Sequence, residues 1–409
     1  MKFKEVKLED ICTVQRGASP RPIKDYVVDK GIPWVKIADA TADSSRYISE
    51  TKEYIKRESK EKSRSVIKGD LILSNSATPG LPKIMDIDAC IHDGWLLLRN
   101  FNGVLKEFLY YTLVNKRREL VSNATGTVFN NLKTDTVKNF KIQLPDIKTQ
   151  KIITNTLQNI DEKIDINNKI INNLEELAQT LFKRWFVDFE FPNEEGKPYK
   201  SSGGKMVESE LGMIPEGWRH EVLKNITINS DRKRIPLSKL EREKRKSIYP
   251  YYGAASLMDY VDDYIFEGVH VLVGEDGTVI DDKGYPIMQY VWGKFWVNNH
   301  AHVLQGKGDF SSEYIYLLLK RTNVTNIVTG AVQPKINQTN LNKISVIVPD
   351  KETLNSFDEI INSIFTEIRS LKDESDSFVS LRDTLLPKLL SGEIELSNET
   401  EVMDDVPIS

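Results

Sequence analysis

The motif "NNHAH" contains two histidines, His300 and His302, that could bind a metal ion. Alternate residues of a strand point to the same face, so both rings would lie together there. Either His270 or Glu275 could add a ligand of a type that zinc accepts. No third ligand follows at a spacing typical of zinc sites. We therefore interpret the pair as polar strand histidines and predict no metal.

A second candidate for chemistry combines Asp146, which follows Pro145, with the triplet Asp161-Glu162-Lys163. These are the residue types of a metal-dependent phosphodiester site. Nucleases of that kind carry the acidic residue and the lysine on a strand beside the first aspartate, whereas this triplet falls within a predicted helix. The sequence also lacks GxxxxGK[ST], a strand followed by GxGxxG, and the NPPY or DPPY motif of adenine methyltransferases. We therefore predict a chain that is not itself an enzyme.

Positive charge is concentrated in two segments, although the whole chain has a net charge of -4. The first basic cluster, "KEYIKRESKEKSRSVIK" from Lys52, has seven basic and three acidic residues. The second basic cluster, "RKRIPLSKLEREKRK" from Arg232, has eight basic and two acidic residues. A solvated surface would show similar charge, but the paired occurrence before corresponding strand motifs favours contact with nucleic-acid phosphates. The candidates in the second cluster are Arg232, Arg234, Arg242, Lys244, Arg245 and Lys246.

Polar residues in loops beside short strands are candidates for contact with base edges. In the major groove, Arg and Lys hydrogen-bond to guanine, and Asn and Gln to adenine. The first half of the chain offers Gln15, Arg16, Lys36, Ser74, Asn75, Ser76, Thr78, Thr125, Thr127 and Asn130. The second half offers Tyr251, Tyr252, Glu275, Asp276, Thr278, Asn298, Asn299, Gln333 and Lys335. The two tyrosines are also typical of the core of a strand-rich domain, and both interpretations stay open.

These residues lie in a sequence that repeats itself. "TGTVFNNLKTDTVKNFKIQLPD" from Thr125 matches "TGAVQPKINQTNLNKISVIVPD" from Thr329. Upstream, "EFLYYTL" matches "EYIYLLL", and "GDLILSNSAT" matches "HVLVGEDGT". In each copy a TG turn and a polar loop precede a strand with alternating apolar residues, which a proline ends. The pattern predicts a duplicated strand-rich domain.

After each copy the apolar spacing changes to alternating steps of four and three residues, which is typical of coiled-coil helices. We call these positions the coiled-coil seam. The first helix places Ile153, Leu157, Ile160, Ile164, Asn167, Ile171, Leu174, Ala178, Leu181 and Trp185 there. The second helix places Leu354, Phe357, Ile361, Ile364, Ile368, Leu371, Ser375, Phe378, Arg382 and Leu385 there. The polar members are either buried residues that fix the register or solvated positions.

The predicted organisation is α+β. Two strand-rich domains, 1–147 and 217–350, each precede a long helix, 148–190 and 351–391. A linker rich in Gly, Pro and Ser, 191–216, joins the halves, and 392–409 form an acidic tail. A two-fold relation between the copies would run the helices antiparallel and give a pseudo-two-fold dumbbell.

Several motifs, in their order along the chain, resemble the specificity subunit of Type I restriction-modification enzymes. They are "FKRWFVDFEF", "GKPYKSSGGKM", "LGMIPEGW", "NNHAHVL" and "TGAVQPKINQ". The resemblance implies two target-recognition domains, each contacting one half of a bipartite sequence in double-stranded DNA. It also implies two methyltransferase subunits bound to the helices, together with restriction and translocase subunits. S-adenosylmethionine, ATP and Mg²⁺ would then belong to those partner subunits, and this chain would bind no cofactor.

The two halves differ where the domains would contact DNA. "SNSATPG" in the first half corresponds to "GEDGT" in the second, and "CIHDGWLLL" corresponds to "WVNNHAHVL". Two different half-targets would require such divergence, so contacts are not transferable from one half to the other.

Composition is consistent with this interpretation. The 409 residues are 40% hydrophobic and 28% charged, which is globular composition, and the two cysteines indicate no disulfide framework. No apolar run is long enough for a membrane span, and we predict a cytoplasmic protein. The alternative to DNA recognition is a non-enzymatic coiled-coil scaffold that binds other proteins.

Overall fold

A computed structural model of the chain describes residues 2–41, 45–122, 131–330 and 332–394. It divides into two compact units. Unit 1 comprises Met1–Ile166 and Glu374–Ser409, and unit 2 comprises Asn167–Asp373. Within the described ranges, none of the helices combines the length and apolar composition needed to span a bilayer.

Unit 1 begins with short strands and ends in a strand that leads into a long helix. Its elements are β1 (Lys4–Lys7), α1 (Leu8–Ile11), β2 (Thr13–Arg16), β3 (Val27–Val28), β4 (Ile32–Val35), α2 (Ile37–Ala40), β5 (Tyr47–Ile48), β6 (Tyr54–Ile55), β7 (Arg64–Val66), β8 (Leu71–Ser74), β9 (Pro82–Met85), β10 (Ala89–Ile91), β11 (Trp95–Arg99), α3 (Lys106–Asn115), α4 (Arg117–Ser122), α5 (Thr134–Lys138), β12 (Lys141–Leu144) and α6 (Ile147–Phe186). The helix α6 continues into unit 2.

Two five-stranded sheets form the centre of unit 1, with strand orders β2-β11-β8-β9-β5 and β3-β6-β4-β10-β7. Alternate residues of β8 enter different cores. Leu71 and Leu73 pack in a cluster with Phe108 of α3, whereas Ile72 packs in a cluster with Val35 of β4. Because helices cover one face and the second sheet covers the other, the central strands are almost continuous apolar runs.

Unit 2 has a corresponding series of elements. They are β13 (Met206–Ser209), β14 (Gly212–Pro215), β15 (Arg219–Val222), α7 (Leu223–Ile226), β16 (Thr227–Asn229), α8 (Lys239–Lys244), β17 (Tyr249–Tyr252), β18 (Leu257–Val261), β19 (Phe266–Glu267), β20 (His270–Gly274), β21 (Met288–Val291), β22 (Lys294–Val297), β23 (Ala301–Gly306), α9 (Ser312–Lys320), α10 (Gln338–Asn342), β24 (Ser345–Val348) and α11 (Lys351–Ser391). The last part of α11 belongs to unit 1.

The internal repeat is visible in the strand pairing. β1 pairs with β12 and β15 pairs with β24, both antiparallel and in the same register, with Lys4 opposite Leu144 and Arg219 opposite Val348. The order β2-β11-β8 in unit 1 corresponds to β16-β23-β20 in unit 2. A parallel pair also recurs, β4 with β10 and β17 with β22. The duplication that the sequence predicts is therefore confirmed.

The long helices pack against each other within each unit. In unit 1, Ile153 and Leu157 near the start of α6 share a buried cluster with Leu389 near the end of α11. In unit 2, Phe182 near the end of α6 shares a buried cluster with Phe357 near the start of α11. The two helices are therefore antiparallel. The predicted fold class, α+β with two strand-rich domains and two long antiparallel helices, is confirmed.

The coiled-coil seam faces inward along both helices. Its buried apolar members are Ile153, Leu157, Ile160, Ala178, Trp185, Leu354, Phe357, Ile361 and Ile368. Its partly buried members are Ile164, Ile171, Leu174, Leu181, Ile364, Leu371, Phe378 and Leu385. Of the two interpretations of the polar positions, the structure shows the buried one for Asn167 and Ser375, which are 0% and 2% exposed.

The segment 191–216, predicted as a linker, is folded against unit 2. The ring of Phe191 stacks between those of Tyr199 and Trp218, with centroid distances of 4.6 and 5.1 Å. β13 and β14 form an antiparallel hairpin in the same segment. Interpretation by Gly, Pro and Ser content missed these aromatic contacts. The unit boundaries also lie within α6 and α11, after Ile166 and Asp373, rather than at this segment.

Candidate nucleic-acid interface

Three loops meet at corresponding places in the two units. In unit 1 the Asn75 backbone N–H donates to the carbonyl of Gly94 at 2.8 Å, and the Leu132 N–H donates to the carbonyl of Asn75 at 2.8 Å. In unit 2 the Glu275 N–H donates to the carbonyl of His300 at 2.8 Å. The Ile336 N–H there donates to the carbonyl of Glu275 at 2.9 Å. These backbone bonds hold together the loops that carry the predicted base-contact residues.

In unit 1 the loop 92–94 is fixed by side chains from two neighbouring segments. Asn75 Nδ2 and Arg16 Nε donate to the carbonyl of Asp93 at 3.1 and 3.2 Å. The Ser19 hydroxyl donates to the Asp93 carboxylate at 2.6 Å and lowers the pKa of that carboxyl group. Asn75 is buried, whereas Arg16 is exposed. Both of these predicted base-contact residues support the loop through their hydrogen bonds.

Ser74 is also buried rather than exposed. It is 0% exposed, and its hydroxyl donates to the carbonyl of Thr78 at 2.5 Å and accepts from the Leu81 N–H at 2.8 Å. Ala77, with a φ of 56°, forms the turn between these residues. Ser74 therefore shapes the loop 74–80 and is not presented to a ligand.

The remaining candidates in unit 1 are accessible to different degrees. Gln15 is exposed, whereas Ser76 and Thr78 are partly buried. Lys36 forms an ion pair with Glu53 and lies 5.4 Å from the centre of the Trp34 ring. Thr125, Thr127 and Asn130 lie outside the described residues.

Two cavities open beside these loops, and sequence reasoning missed a residue that lines both of them. The cavities have volumes of about 930 and 340 Å³, and both are lined by Ser76, His92 and Asp93. His92 belongs to "CIHDGWLLL", which corresponds to "WVNNHAHVL" of the second half, so His92 corresponds to Asn298. That alignment is the signal for His92, because Asn298 at the corresponding position is a predicted base-contact residue.

In unit 2 four charged side chains gather under the corresponding loops. His302 is 0% exposed, and its Nδ1 lies 2.6 Å from a carboxylate oxygen of Asp231. Its Nε2 lies 2.7 Å from the carbonyl of Ile336. Arg234 Nη1 lies 2.6 Å from Glu275 Oε2, which is 3.7 Å from His302 Nδ1. The cluster therefore ties three separated segments of the chain together.

Asp231, Glu275 and His302 are close enough to hold a metal ion, but the hydrogen bonds favour an ion-pair network. A carbonyl oxygen only accepts, so Nε2 of His302 must donate to Ile336, and Nδ1 then faces a carboxylate as a second donor. Both ring nitrogens are thus protonated, and neither has a lone pair for a cation. Arg234 supplies the remaining positive charge beside both carboxylates.

The pKa values in this cluster shift in opposite directions. Burial alone would lower the pKa of His302, but the hydrogen bond and charge of Asp231 and the Ile336 carbonyl raise it above the usual value. Burial alone would raise the pKa of Asp231, but the hydrogen bond and charge of His302 outweigh it and lower that pKa. The charged pair is therefore the stable form.

Several other candidates in unit 2 have partners within the protein. His300 Nδ1 lies 2.7 Å from Asp276 Oδ1, and Lys335 Nζ lies 3.9 Å from Asp276 Oδ2. Asn298 is buried, and its Oδ1 accepts from the His300 N–H at 2.8 Å. Asn299, Thr278 and Gln333 are exposed. The exposed side chains are those best placed to contact a ligand.

Within the second basic cluster, two arginines are held by aromatic rings and acidic partners. Arg242 lies over the ring of Tyr251 at 5.2 Å and pairs with Asp259 at 3.3 Å. Arg245 lies over the ring of Trp296 at 4.8 Å and pairs with Asp262 at 2.7 Å. Both were predicted to bind phosphates, and in this structure each guanidinium pairs with a carboxylate. The cluster's Arg232, Lys244 and Lys246 are exposed.

Of the two tyrosines, Tyr251 belongs to the core. It is 1% exposed, and its hydroxyl accepts from the Leu237 N–H at 2.9 Å. Tyr252 is partly buried, with its ring 5.9 Å from that of Phe295 in an edge-to-face contact. Of the two interpretations, the structure therefore shows Tyr251 as a residue of the domain core.

The acidic residues considered for phosphodiester chemistry have structural partners as well. Asp146 caps α6, because its Oδ1 accepts from the Thr149 N–H at 2.8 Å. Asp161 accepts from the Tyr111 hydroxyl at 2.6 Å and pairs with Arg382 at 3.0 Å. Asp350 caps α11 through the Thr353 N–H at 2.8 Å, at the position that corresponds to Asp146. Asp161 therefore joins α6 to α3 and α11, whereas Asp146 and Asp350 stabilise the first turn of each long helix.

Comparison with known proteins identifies the class to which this fold and these loops belong. The family of Type I restriction modification DNA specificity domains matches residues 1–176 and 215–375. The match covers both copies of the repeat, and the chain belongs to this family. The resemblance inferred from the sequence motifs is confirmed.

Individual relatives match over almost the whole chain. The specificity subunit of the Type I restriction enzyme MjaIX from Methanocaldococcus jannaschii is 27% identical over 413 residues, covering 95% of this chain and 93% of the relative. The specificity subunit of HindI from Haemophilus influenzae is 23% identical over 415 residues, covering 81% of this chain and 88% of the relative.

A solved structure shares the fold. The crystal structure of the S subunit of a Type I restriction-modification system from M. genitalium superposes with a TM-score of 0.57 at 16% sequence identity. The match covers 95% of this chain and 96% of that chain. At this identity the likeness concerns the fold alone.

Proposed function

We propose that this chain is the DNA-recognition subunit of a Type I restriction-modification enzyme and that it recognises a bipartite target in double-stranded DNA. Each unit contacts one half of the target through its three converging loops. The observation that carries the proposal is that the two units share backbone contacts between these loops but not their side chains. A shared framework with different exposed groups is suited to two different half-sequences.

The side chains differ at the corresponding positions. Asn75 and Ser76 of unit 1 correspond to Glu275 and Asp276 of unit 2. His92 corresponds to Asn298. Of these pairs, Ser76 and Asp276 are partly exposed. Because a carboxylate accepts from cytosine N4, whereas a hydroxyl both donates and accepts, this change alters which base edge is favoured.

The chain acts in this proposal without catalysis of its own. Two methyltransferase subunits bind along α6 and α11, and restriction and translocase subunits join through them. S-adenosylmethionine, ATP and Mg²⁺ serve the partner subunits, and the complex works in the cytoplasm. The acidic groups considered for catalysis support this division of labour, because Asp146 caps the first turn of α6 and Asp161 pairs with Arg382 of α11.

The test compares methylated adenines in DNA from the source cell with and without the gene for this chain, by single-molecule sequencing. The proposal predicts one bipartite motif that is methylated only when the gene is present. An unchanged methylation pattern, together with binding to duplex DNA that is indifferent to sequence and salt, would favour the coiled-coil scaffold that binds other proteins.

A further inference from the structure

His92 of unit 1 has a ring that packs against a neighbouring aromatic residue and is also partly accessible to solvent. Its side chain is 17% exposed, and it lines both cavities beside the converging loops. The ring lies edge-to-face on Trp34, with centroids 5.9 Å apart and planes at 66°. The ring is therefore held between the protein core and the candidate interface.

The hydrogen bond of the ring determines which nitrogen carries the proton. The Gly94 N–H donates to Nδ1 of His92 at 2.7 Å. A backbone N–H only donates, so Nδ1 has no proton and Nε2 carries it. Among the residues that the structure describes, Nε2 makes no hydrogen bond. Burial lowers the pKa of His92, which keeps the ring in this neutral form at pH 7.

The backbone around His92 is rigid. Asp93 is held by Ser19, Asn75 and Arg16, as described above. A Cβ atom at Gly94 would lie 2.1 Å from Cε1 of His92, so only glycine at this position allows the ring its place. A donor on a rigid loop, supported by neighbouring hydrogen bonds, is suited to discrimination between ligands.

Unit 2 has no equivalent donor at the described position that corresponds to His92. Asn298 stands there and accepts from the His300 N–H at 2.8 Å, which repeats the bond between His92 and Gly94. Asn298 is 5% exposed, however, and its Nδ2 lies 3.5 Å from the sulfur of Met258. Of these two positions, only that of His92 combines the loop contact with an accessible donor.

We propose that His92 is a specificity-determining residue, whose Nε2–H donates a hydrogen bond to N7 of a purine in the half-site contacted by unit 1. This inference rests on the proposed function. In the major groove, N7 is an acceptor at the edge of guanine and adenine, cytosine presents a donor, and the O4 acceptor of thymine lies at a different place on the edge, beside its methyl group. His92 thereby selects a purine over a pyrimidine at one base position.

The test uses the full-length chain in complex with its methyltransferase subunits. His92→Asn retains an acceptor for the Gly94 N–H, as Asn298 does in unit 2, but its remaining donor, Nδ2, lies on a shorter side chain and does not reach as far as Nε2 of His92. His92→Phe keeps a ring against Trp34 and has no donor. His220→Asn is the matched control, because His220 lies on β15, away from the three loops. Selection from a random duplex library gives the base preference at every position of the target. Thermal unfolding of each variant shows whether its stability has changed.

Both His92 variants should lose the purine preference at one position of one half-site. Their base preference at every other position and their unfolding temperature should equal those of the wild type. Replacing the purine at that position with 7-deazaguanine or 7-deazaadenine removes N7 and should weaken binding of the wild type about three- to tenfold. The same replacement should leave binding of both His92 variants unchanged. His220→Asn should retain the complete motif and the 7-deaza effect.

Three results would overturn the assignment of His92: an unchanged motif in both variants, wild-type binding that is insensitive to 7-deaza substitution, or loss of the whole half-site together with a lower unfolding temperature. Failure of the proposed function is distinguishable, since the wild-type complex would then select no bipartite motif at all.

Discussion

Arg242 and Lys244 lie two positions apart in the second basic cluster, yet their surroundings differ. Arg242 is pinned between the ring of Tyr251 and Asp259, whereas Lys244 and Lys246 are exposed. Among the described residues neither lysine takes part in an ion pair. Charge counting in the sequence could not separate these cases, because the separation depends on strands β17 and β18 that fold beside the cluster.

The double variant Lys244→Gln/Lys246→Gln should weaken binding of the complex about equally for all duplex sequences, because phosphates carry no base identity. The slope of log K against log salt should flatten by up to about 0.9 for each phosphate that is no longer neutralised. Titrations at several salt concentrations measure both effects. Exposed Lys224, changed to Gln, is the matched control and should leave the slope unchanged. An altered target preference at an unchanged slope would mean that the lysines contact bases.

The ion pair between His302 and Asp231 predicts a specific dependence of stability on pH. The folded pKa of His302 is raised, so its contribution is complete below its unfolded pKa of about 6.5 and is lost as pH rises through the folded pKa. The folded pKa of Asp231 is lowered, so its contribution is lost as pH falls through that value. The pair therefore stabilises unit 2 most at pH values between the folded pKa of Asp231 and the folded pKa of His302.

His302→Asn should lower the unfolding temperature most at about pH 6 and less at alkaline pH. Asp231→Asn removes the partner and should abolish most of this pH dependence, although it lowers stability because a buried charge loses its pair. Thermal unfolding of the wild type and both variants across about pH 5 to 9 gives the comparison. A His302→Asn effect that grows toward alkaline pH would contradict the ion pair.

At the scale of elements, the segment 191–216 is stabilised by aromatic stacking. Phe191→Ala removes a ring that is 6% exposed and stacks between Tyr199 and Trp218, so it should lower the free energy of unfolding by about 3 to 5 kcal/mol. Glu195→Ala, an exposed change in the same segment, is the control and should have little effect. Thermal unfolding measures the difference, and limited proteolysis reports on the segment itself. Rapid cleavage of the wild type within 191–216 would show a free linker instead.

The sequence predicts elements well where one periodic pattern extends over many residues. Both long helices follow a regular spacing over more than four heptads, and the structure gives them 40 and 41 residues. The duplicated motifs likewise predict the repeated strand pairs. The packing of segment 191–216 could not be predicted from its Gly and Ser content, because Phe191 and Trp218 contact only after the chain turns back.

The candidate site was less accessible to sequence analysis, for a related reason. The motifs that occur in both copies indicate which loops correspond, but not that these loops meet. Which side chains remain exposed depends on tertiary contacts. Ser74, Asn75 and Asn298 are buried, and Asn75 donates to the carbonyl of Asp93, which lies 18 residues further along the chain. Patterns that extend over a few neighbouring residues do not reveal such contacts.

At the scale of the whole molecule, the duplication means that one chain carries two copies of the same framework with different loop side chains. The register of β1 with β12 equals that of β15 with β24, and the loops meet through the same backbone bonds. A framework that tolerates different loops predicts modular recognition, in which each unit determines its own half of the target.

The most direct test replaces residues 1–147 with the corresponding domain of a family member whose methylation motif is known and different. Single-molecule sequencing of DNA from cells that express the chimaera with its methyltransferase subunits then gives the new motif. The proposal predicts that one half changes to that of the donor protein while the other half remains as in the wild type. Simultaneous change of both halves, or no change in either, would contradict recognition of one half-site by each unit.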